Sequence, residues 1–221
     1  MGNKTLSPLE RNLNQSFREL EIPIAQQKSI RLYLNLIRNR SEETWEHSVR
    51  VGISGKEIAE HTHIVDPKAL YYSGLLHDVG KALTNPESLD KTTGFNAKDM
   101  AELKKHPSDS YRILRGIHDF SARVALMHHR FQGERSYPKT LLPETIHVSN
   151  STEALIVYCA RLVSLADFHD AATYRENDRL SPGNPRLLTD EEVKSDLLKF
   201  NPDQIHLINF LYKEGVFGRR D

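Results

Sequence analysis

The stretch Gly74-Leu75-Leu76-His77-Asp78-Val79-Gly80-Lys81 decides how the rest of the chain is read. An apolar run leads into a histidine beside an aspartate, and a Gly-Lys follows. Neighbouring side chains on an α-helix point about 100° apart, so the imidazole of His77 and the carboxylate of Asp78 can serve two adjacent metal positions. Lys81 comes four residues after His77 and three after Asp78, which puts it on their face and lets its ammonium hold a phosphate oxygen above the metals. Taken alone, the pair reads first as a buried polar contact inside a core helix. A metal site needs further ligands from elsewhere in the chain.

Working outward toward the N-terminus, Asp66-Pro67 joins an N-cap to a proline at the first helical position. The helix it opens runs through Ala69, Leu70, Leu75 and Leu76 into His77-Asp78 and ends at Thr84-Asn85-Pro86. Further back, Ser41-Glu42-Glu43-Thr44 caps a helix start and places acids in its first turn. That helix carries Glu43 and His47 on one face, four residues apart, with Arg50 three further on. His61 and His63 do not share a helical face and read as surface residues. Before Ser41, Leu6, Leu9, Leu13, Phe17 and Leu20 form one amphipathic stripe, and Ile30, Tyr33, Leu34 and Ile37 a second, with a break at Ile22-Pro23. These stripes make residues 1–40 an N-terminal helical extension in front of a domain over residues 41–221, and the extension also offers a surface to a protein partner.

Toward the C-terminus, Asn96 and Asp99 open a helix that stops at Lys105-His106-Pro107. The proline breaks the chain there and leaves His106 at a junction. Ser121 is expected to cap a helix through Val124, Leu126 and Met127 to His128-His129. Two adjacent histidines at the end of an apolar helix need partners for their nitrogens, metal or hydrogen bond. A turn-rich loop over 130–138 follows. Asn150 with Glu153 resembles a capping box and opens the longest helix, about 151–174, whose apolar run 155–166 reads as buried nearly all round. Asp167 ends that run, so its carboxylate has to be paired, protonated or bound to a cation. Asp170, one turn later, reads as a partner for a ligand imidazole or as a surface acid. Residues 179–186 carry proline and glycine and read as a loop or flap. Thr189 with Glu192 caps a helix to about Phe200, and Asn201-Pro202 starts a last helix that Gly215 ends. No strand, repeat or low-complexity segment is evident.

Composition narrows the function classes. Thirty basic and thirty acidic residues in 221 give a net charge near zero, which argues against polymeric nucleic acid and anionic membrane surfaces. The one cysteine, Cys159, rules out an intrachain disulfide framework and falls in the apolar run, so a core position is expected. No segment approaches the roughly 18 apolar residues of a membrane helix, and no signal-peptide core follows Met1. The expectation is a soluble, cytoplasmic chain. Its 11 histidines stand out, because imidazole is the commonest metal ligand.

The candidate ligands Glu43, His47, His77, Asp78, His106, His128, His129 and Asp167 come from five separated segments of an all-helical chain. With Lys81, His106-Pro107, Tyr137-Pro138 and Asp167-Phe168-His169-Asp170-Ala171, their order resembles the HD superfamily of metal-dependent phosphohydrolases, most closely its HD-GYP group, over roughly residues 43–175. The resemblance implies an all-α HD-domain helical bundle. It implies a phosphodiesterase that hydrolyses a cyclic dinucleotide of the cyclic di-GMP kind by metal-activated hydroxide. The alternatives are an HD phosphatase acting on another nucleotide or phosphomonoester, and a metal-containing nucleotide sensor without turnover. Two or three divalent ions are implied, iron or manganese, with zinc as the other candidate. Asp78 is expected to bridge two ions, with His47, His77 and Asp167 completing one position and His106, His128 and His129 the other. Glu43 is expected to recruit a third. Lys81, Arg50, Tyr137 and Arg175 are the expected substrate contacts, and His169 faces elsewhere. The loop after His128-His129 departs from the group's signature: Arg130 stands in place of an acid, Gly133-Glu134 in place of Asp-Gly, and Ser136 in place of the glycine of Gly-Tyr-Pro.

Overall fold

The computed structural model describes residues 6–89, 91, 93–131, 133, 136–141, 148–176 and 186–218. Gln132, Glu134 and Arg135 of the altered loop, and all of the expected 179–186 flap except Arg186, lie outside the described residues. Among those described, every regular element is helical and none is a strand.

Local chemistry sets most of the boundaries. Ser7 caps α1 (Pro8–Glu19) in a reciprocal box with Glu10, and Ser41 caps α3 (Glu42–Thr62) after α2 (Ile24–Arg40), accepting a hydrogen bond from the Thr44 amide at 3.2 Å. Asp66 accepts from the Lys68 amide at 2.9 Å and opens α4 (Pro67–Leu76). The four-residue α5 (Pro86–Leu89) is followed by α6 (Ala97–Leu103), boxed by Asn96 and Asp99, and by α7 (His106–Leu114), with Pro107 in its first turn. Then come α8 (Asp119–Met127), α9 (Asn150–Tyr174), α10 (Asp190–Phe200, boxed by Thr189 and Glu192) and α11 (Ile205–Lys213).

Four boundary and burial expectations are corrected. The helix through Leu76 does not continue to Thr84: the chain leaves α geometry at His77-Asp78 and tightens into a 3-10 helix, Val79–Leu83. The cause is tertiary, since Gly80 presses on the first turn of α7, where an added Cβ would lie 2.2 Å from the His106 carbonyl oxygen. Ser121 is not a cap but a buried residue inside α8, which starts two residues earlier, with the Asp119 carboxylate accepting from the Gly116 amide at 2.6 Å. The cap of α9 is Ser149 rather than Asn150; its extended backbone lets the hydroxyl accept from the Thr152 amide. The first turns of α9 are partly exposed, Leu155 included, and the helix is buried on all sides only from Cys159 to Asp167. Cys159 is in the core as expected, and burial pushes its thiol up to about 12.

Two hydrophobic clusters share α3. One surrounds α9, joining Val51 and Ile58 of α3 to Leu162, Val163 and Leu165, and to Val193, Leu197 and Ile208 of the last two helices. The other joins Leu13, Phe17, Ile30, Leu34 and Ile37 of α1 and α2 to Trp45, Val49, Tyr71, Leu75, Leu76 and Val79. The N-terminal helices therefore pack directly beneath the His77-Asp78 turn. Each such fully buried side chain contributes about 1.5–3 kcal/mol relative to exposure, so the turn rests on a well-stabilised floor. Where α3 crosses α4, Gly52 meets Gly74 so closely that a Cβ on Gly74 would lie 2.8 Å from the Gly52 Cα. That close crossing brings His47 and His77 together, their ring centroids 5.3 Å apart.

Candidate metal centre

Seven of the eight expected ligands lie within one buried cluster of three overlapping triads. The triads are His47-His77-Asp78, His77-His128-Asp167 and His106-His128-His129, and within each the donor atoms all lie within 4.8 Å of one another. They come from α3, the turn after α4, the start of α7, the end of α8 and the middle of α9.

The helix ends aim the imidazoles. His77 Nδ1 lies 2.7 Å from the Gly74 carbonyl, His106 Nδ1 2.6 Å from that of Leu103, and His128 Nδ1 2.6 Å from that of Ala125. Each partner is a carbonyl three residues back, of the kind that a helix leaves unsatisfied at its C-terminal end. A carbonyl only accepts, so each Nδ1 carries a proton and Nε2 is the nitrogen turned inward. His47 is fixed differently: its Nδ1 donates to Asp170 Oδ2 at 2.7 Å, and its Nε2 faces Asp167 Oδ1 at 3.1 Å. Asp170 is in turn gripped by Arg50, Nε to Oδ1 at 2.7 Å and Nη2 to Oδ2 at 3.0 Å, and the guanidinium lies over the Tyr174 ring.

Asp78 sits between the two sides. Its Oδ1 is 3.2 Å from His106 Nε2, while its Oδ2 is 3.3 Å from His77 Nε2 and 3.5 Å from His47 Nε2. By hydrogen-bond geometry, His47 Nε2, His77 Nε2 and Asp78 Oδ1 are buried without a partner. The Nε2 atoms of His106 and His128 face each other at 3.4 Å. Lone pairs so placed repel in a dry interior, and such orphaned polar atoms are costly. Divalent cations answer that arrangement, and donors of imidazole and carboxylate type without thiolate suit iron, manganese or zinc. The residues fit the ions expected of them.

Electrostatics follows the same division. Burial pushes His106 down to about 3 and His128 to about 4, and pushes His129 well below the usual imidazole range. These rings are neutral, the form that ligates a metal. His77 moves the other way: burial opposes its charge, but Asp78 and Asp167 outweigh it and raise the ring to about 10. Asp78 and Asp167 are both held well below the ordinary carboxylate range; burial opposes this, and the facing imidazoles, with Lys81 beside Asp78, overcome it.

The other expected residues are placed as follows. Lys81, almost buried, puts Nζ 2.5 Å from Asp78 Oδ2. Glu43 joins none of the triads; its exposed carboxylate pairs with Arg175, Oε1 to Nε at 2.9 Å. Arg50 and Arg175 are thus both engaged with carboxylates rather than extended toward open space. Tyr137 stacks on the His129 ring with centroids 4.4 Å apart, and Lys104 Nζ lies over the tyrosine at 5.6 Å. His169 lies away from the cluster, stacked on Phe217. Ser110, which the motif spacing did not single out, touches the backbone on both sides of Asp78. Its one sequence signal is a position one helical turn after His106.

The profile of the HD domain matches residues 44–172, more than half of the chain. The chain belongs to the HD domain family. This HD domain is 27% identical over 146 residues to a 3'3'-cGAMP-specific phosphodiesterase of Vibrio cholerae, covering 64% of this chain and 32% of the relative. It is 26% identical over 160 residues to a cyclic di-GMP phosphodiesterase of Pseudomonas aeruginosa, covering 70% of this chain and 36% of that protein. The chain thus spans about a third of the length of these curated relatives. Among solved structures, the fold is similar to the HD domain of a Listeria monocytogenes phosphodiesterase in complex with cyclic di-AMP. The TM-score is 0.56 at 15% identity, covering 86% of this chain and 98% of that one. Among the described residues, no helix of this HD domain is long and apolar enough to cross a membrane.

Proposed function

We propose that this HD domain is a metal-dependent phosphodiesterase of HD-GYP-like type that hydrolyses a cyclic dinucleotide. The observation that carries the reading is Asp78, which presents one oxygen to His106 and the other to His47 and His77. That is the disposition a carboxylate needs to lie between two ions. The names of the relatives supply the substrate class: they act on 3'3'-cGAMP and cyclic di-GMP.

Divalent ions held by these donors supply Lewis acidity toward water and toward the oxygens of a phosphate. The chain does the rest. The carbonyl anchors hold His106 and His128 in the neutral tautomer that offers Nε2, so on those rings no proton has to move before a ligand bond forms, whereas His77, raised by Asp78 and Asp167, would give up its Nε2 proton to become a ligand. Asp170 and Arg50 hold His47 in the same tautomer. Lys81, at the edge of the Asp78 carboxylate, places a positive charge where an incoming phosphodiester develops negative charge. In the overall reaction, water adds to phosphorus, one P–O ester bond breaks, and the departing hydroxyl keeps a proton from that water. Of the expected substrate-binding cations, only Lys81 is at the donor cluster, since Arg50 is held by Asp170 and Arg175 by Glu43.

The test is turnover by the full chain, loaded anaerobically with Fe2+ or with Mn2+. Cyclic di-GMP, 3'3'-cGAMP, cyclic di-AMP and a nucleoside monophosphate are the substrates. The expected result is a linear dinucleotide from at least one cyclic substrate. Phosphate release from the monophosphate alone would assign a phosphatase instead. Binding of a cyclic dinucleotide without turnover would assign a sensor.

A further inference from the structure

Helical serines commonly turn the hydroxyl back to a carbonyl of their own helix. Ser73, fully buried on α4, does this with the Ala69 carbonyl at 2.8 Å. Ser110, equally buried on α7, does not. Its hydroxyl donates to the His77 carbonyl at 2.9 Å and accepts from the Gly80 amide at 2.8 Å. One hydroxyl has one proton to give, so this pair of bonds uses the donor fully. The two partners lie on either side of Asp78, so the hydroxyl closes the turn across the residue that faces both halves of the cluster. The helix that carries Ser110 begins with His106.

The contact exists because residue 80 has no side chain. A Cβ there would lie 2.2 Å from the His106 carbonyl oxygen, 2.6 Å from the Ser110 amide nitrogen and 2.9 Å from its hydroxyl. Gly80 and Ser110 are therefore two sides of one close approach, between the turn that bears His77-Asp78 and the helix that bears His106.

We propose, on the reading of the donor cluster as a metal centre, that Ser110 is a positioning residue whose hydroxyl sets the distance between the two metal positions by locking the Asp78 turn to α7. Metal donors tolerate little displacement, and residues that only orient ligands commonly change metal affinity about 10–100-fold when removed. By linkage, an ion that requires the locked turn must also stabilise the lock.

The decisive measurement titrates the metal-free chain with Mn2+ in three forms: wild type, Ser110→Ala and Ser73→Ala. The serine variants are matched in burial and in hydroxyl loss. Wild type should take up two equivalents. Ser110→Ala should weaken uptake of at least one of them about tenfold or more, and Ser73→Ala should leave both unchanged. Equal weakening by the two variants, or none by Ser110→Ala, overturns the positioning role. Failure of wild type to bind Mn2+ or Fe2+ at all would instead overturn the metal-centre reading itself. A second measurement on the wild-type chain does not depend on any variant folding: hydrogen exchange of the Gly80 amide should slow at least severalfold when Mn2+ is added. Unchanged exchange on loading would show that the lock and the ions are not coupled.

Discussion

His106 and His128 are anchored by backbone carbonyls and have a single carboxylate oxygen at hand, Asp78 Oδ1 at 3.2 Å from His106 Nε2, whereas His47 and His77 face both Asp78 and Asp167. The difference lies in what balances each side when no ion is bound. On the carboxylate side, a proton on His77 and the ammonium of Lys81 can answer Asp78 and Asp167. On the imidazole side, His106 and His128 are held neutral, so the lone pair of His106 Nε2 faces both His128 Nε2 at 3.4 Å and Asp78 Oδ1 at 3.2 Å, acceptor against acceptor. Ionic networks and hydrogen bonds explain the first arrangement without a metal. They do not explain the second, so the imidazole half carries the stronger argument for cations.

Asp78→Asn strikes both halves and should have the largest effect. The amide keeps the shape of the side chain but removes the charge that faces His47, His77, His106 and Lys81. Neither metal equivalent should survive dialysis, and turnover of a cyclic dinucleotide should fall about a thousandfold or more, about 4 kcal/mol at the transition state. Elemental analysis beside the kinetics checks it. A variant that retains both ions and full turnover would remove Asp78 from the centre.

Asp170→Asn should separate the halves. Asparagine still offers an oxygen to His47 Nδ1, but its amide cannot hold Arg50 as the carboxylate does. One equivalent of Mn2+ should weaken about 10–100-fold, while the equivalent held by His106 and His128 keeps its affinity. A two-site titration distinguishes this from equal weakening of both, which would mean that the halves act as one unit and that the contrast drawn above has no functional weight.

The contrast was only partly legible in the chain. The candidate ligands were visible because His47, His77, His106, His128 and Asp167 stand beside caps, prolines and apolar runs that mark helix ends and a buried helix. Those same ends supply the carbonyls that orient three of the rings, so the local signal and the site geometry share a cause. The departure from helix at His77 was not legible. It depends on Gly80 meeting α7, thirty residues away, and helical periodicity carries no information about such a contact. Ser110 was missed for the same reason. Arg50 shows a third kind of limit. Its spacing from His47 was compatible with holding phosphate or with orienting a ligand, and only the position of Asp170 on α9 distinguishes them.

Glu43 gives the smallest expected effect and bears on how many ions the carboxylate half can take. Its spacing from His47 suggested a third ligand site, yet its carboxylate is exposed and faces Arg175 instead of the triads. A guanidinium already balances that charge, and a pair whose carboxylate is open to solvent contributes little to stability, about 0–1 kcal/mol. Glu43→Gln should therefore leave the Mn2+ stoichiometry at two and shift the melting temperature only slightly. Loss of a third equivalent in the variant, present in wild type, would show that Arg175 yields to a cation. The carboxylate side would then extend beyond the buried triads toward the end of α9.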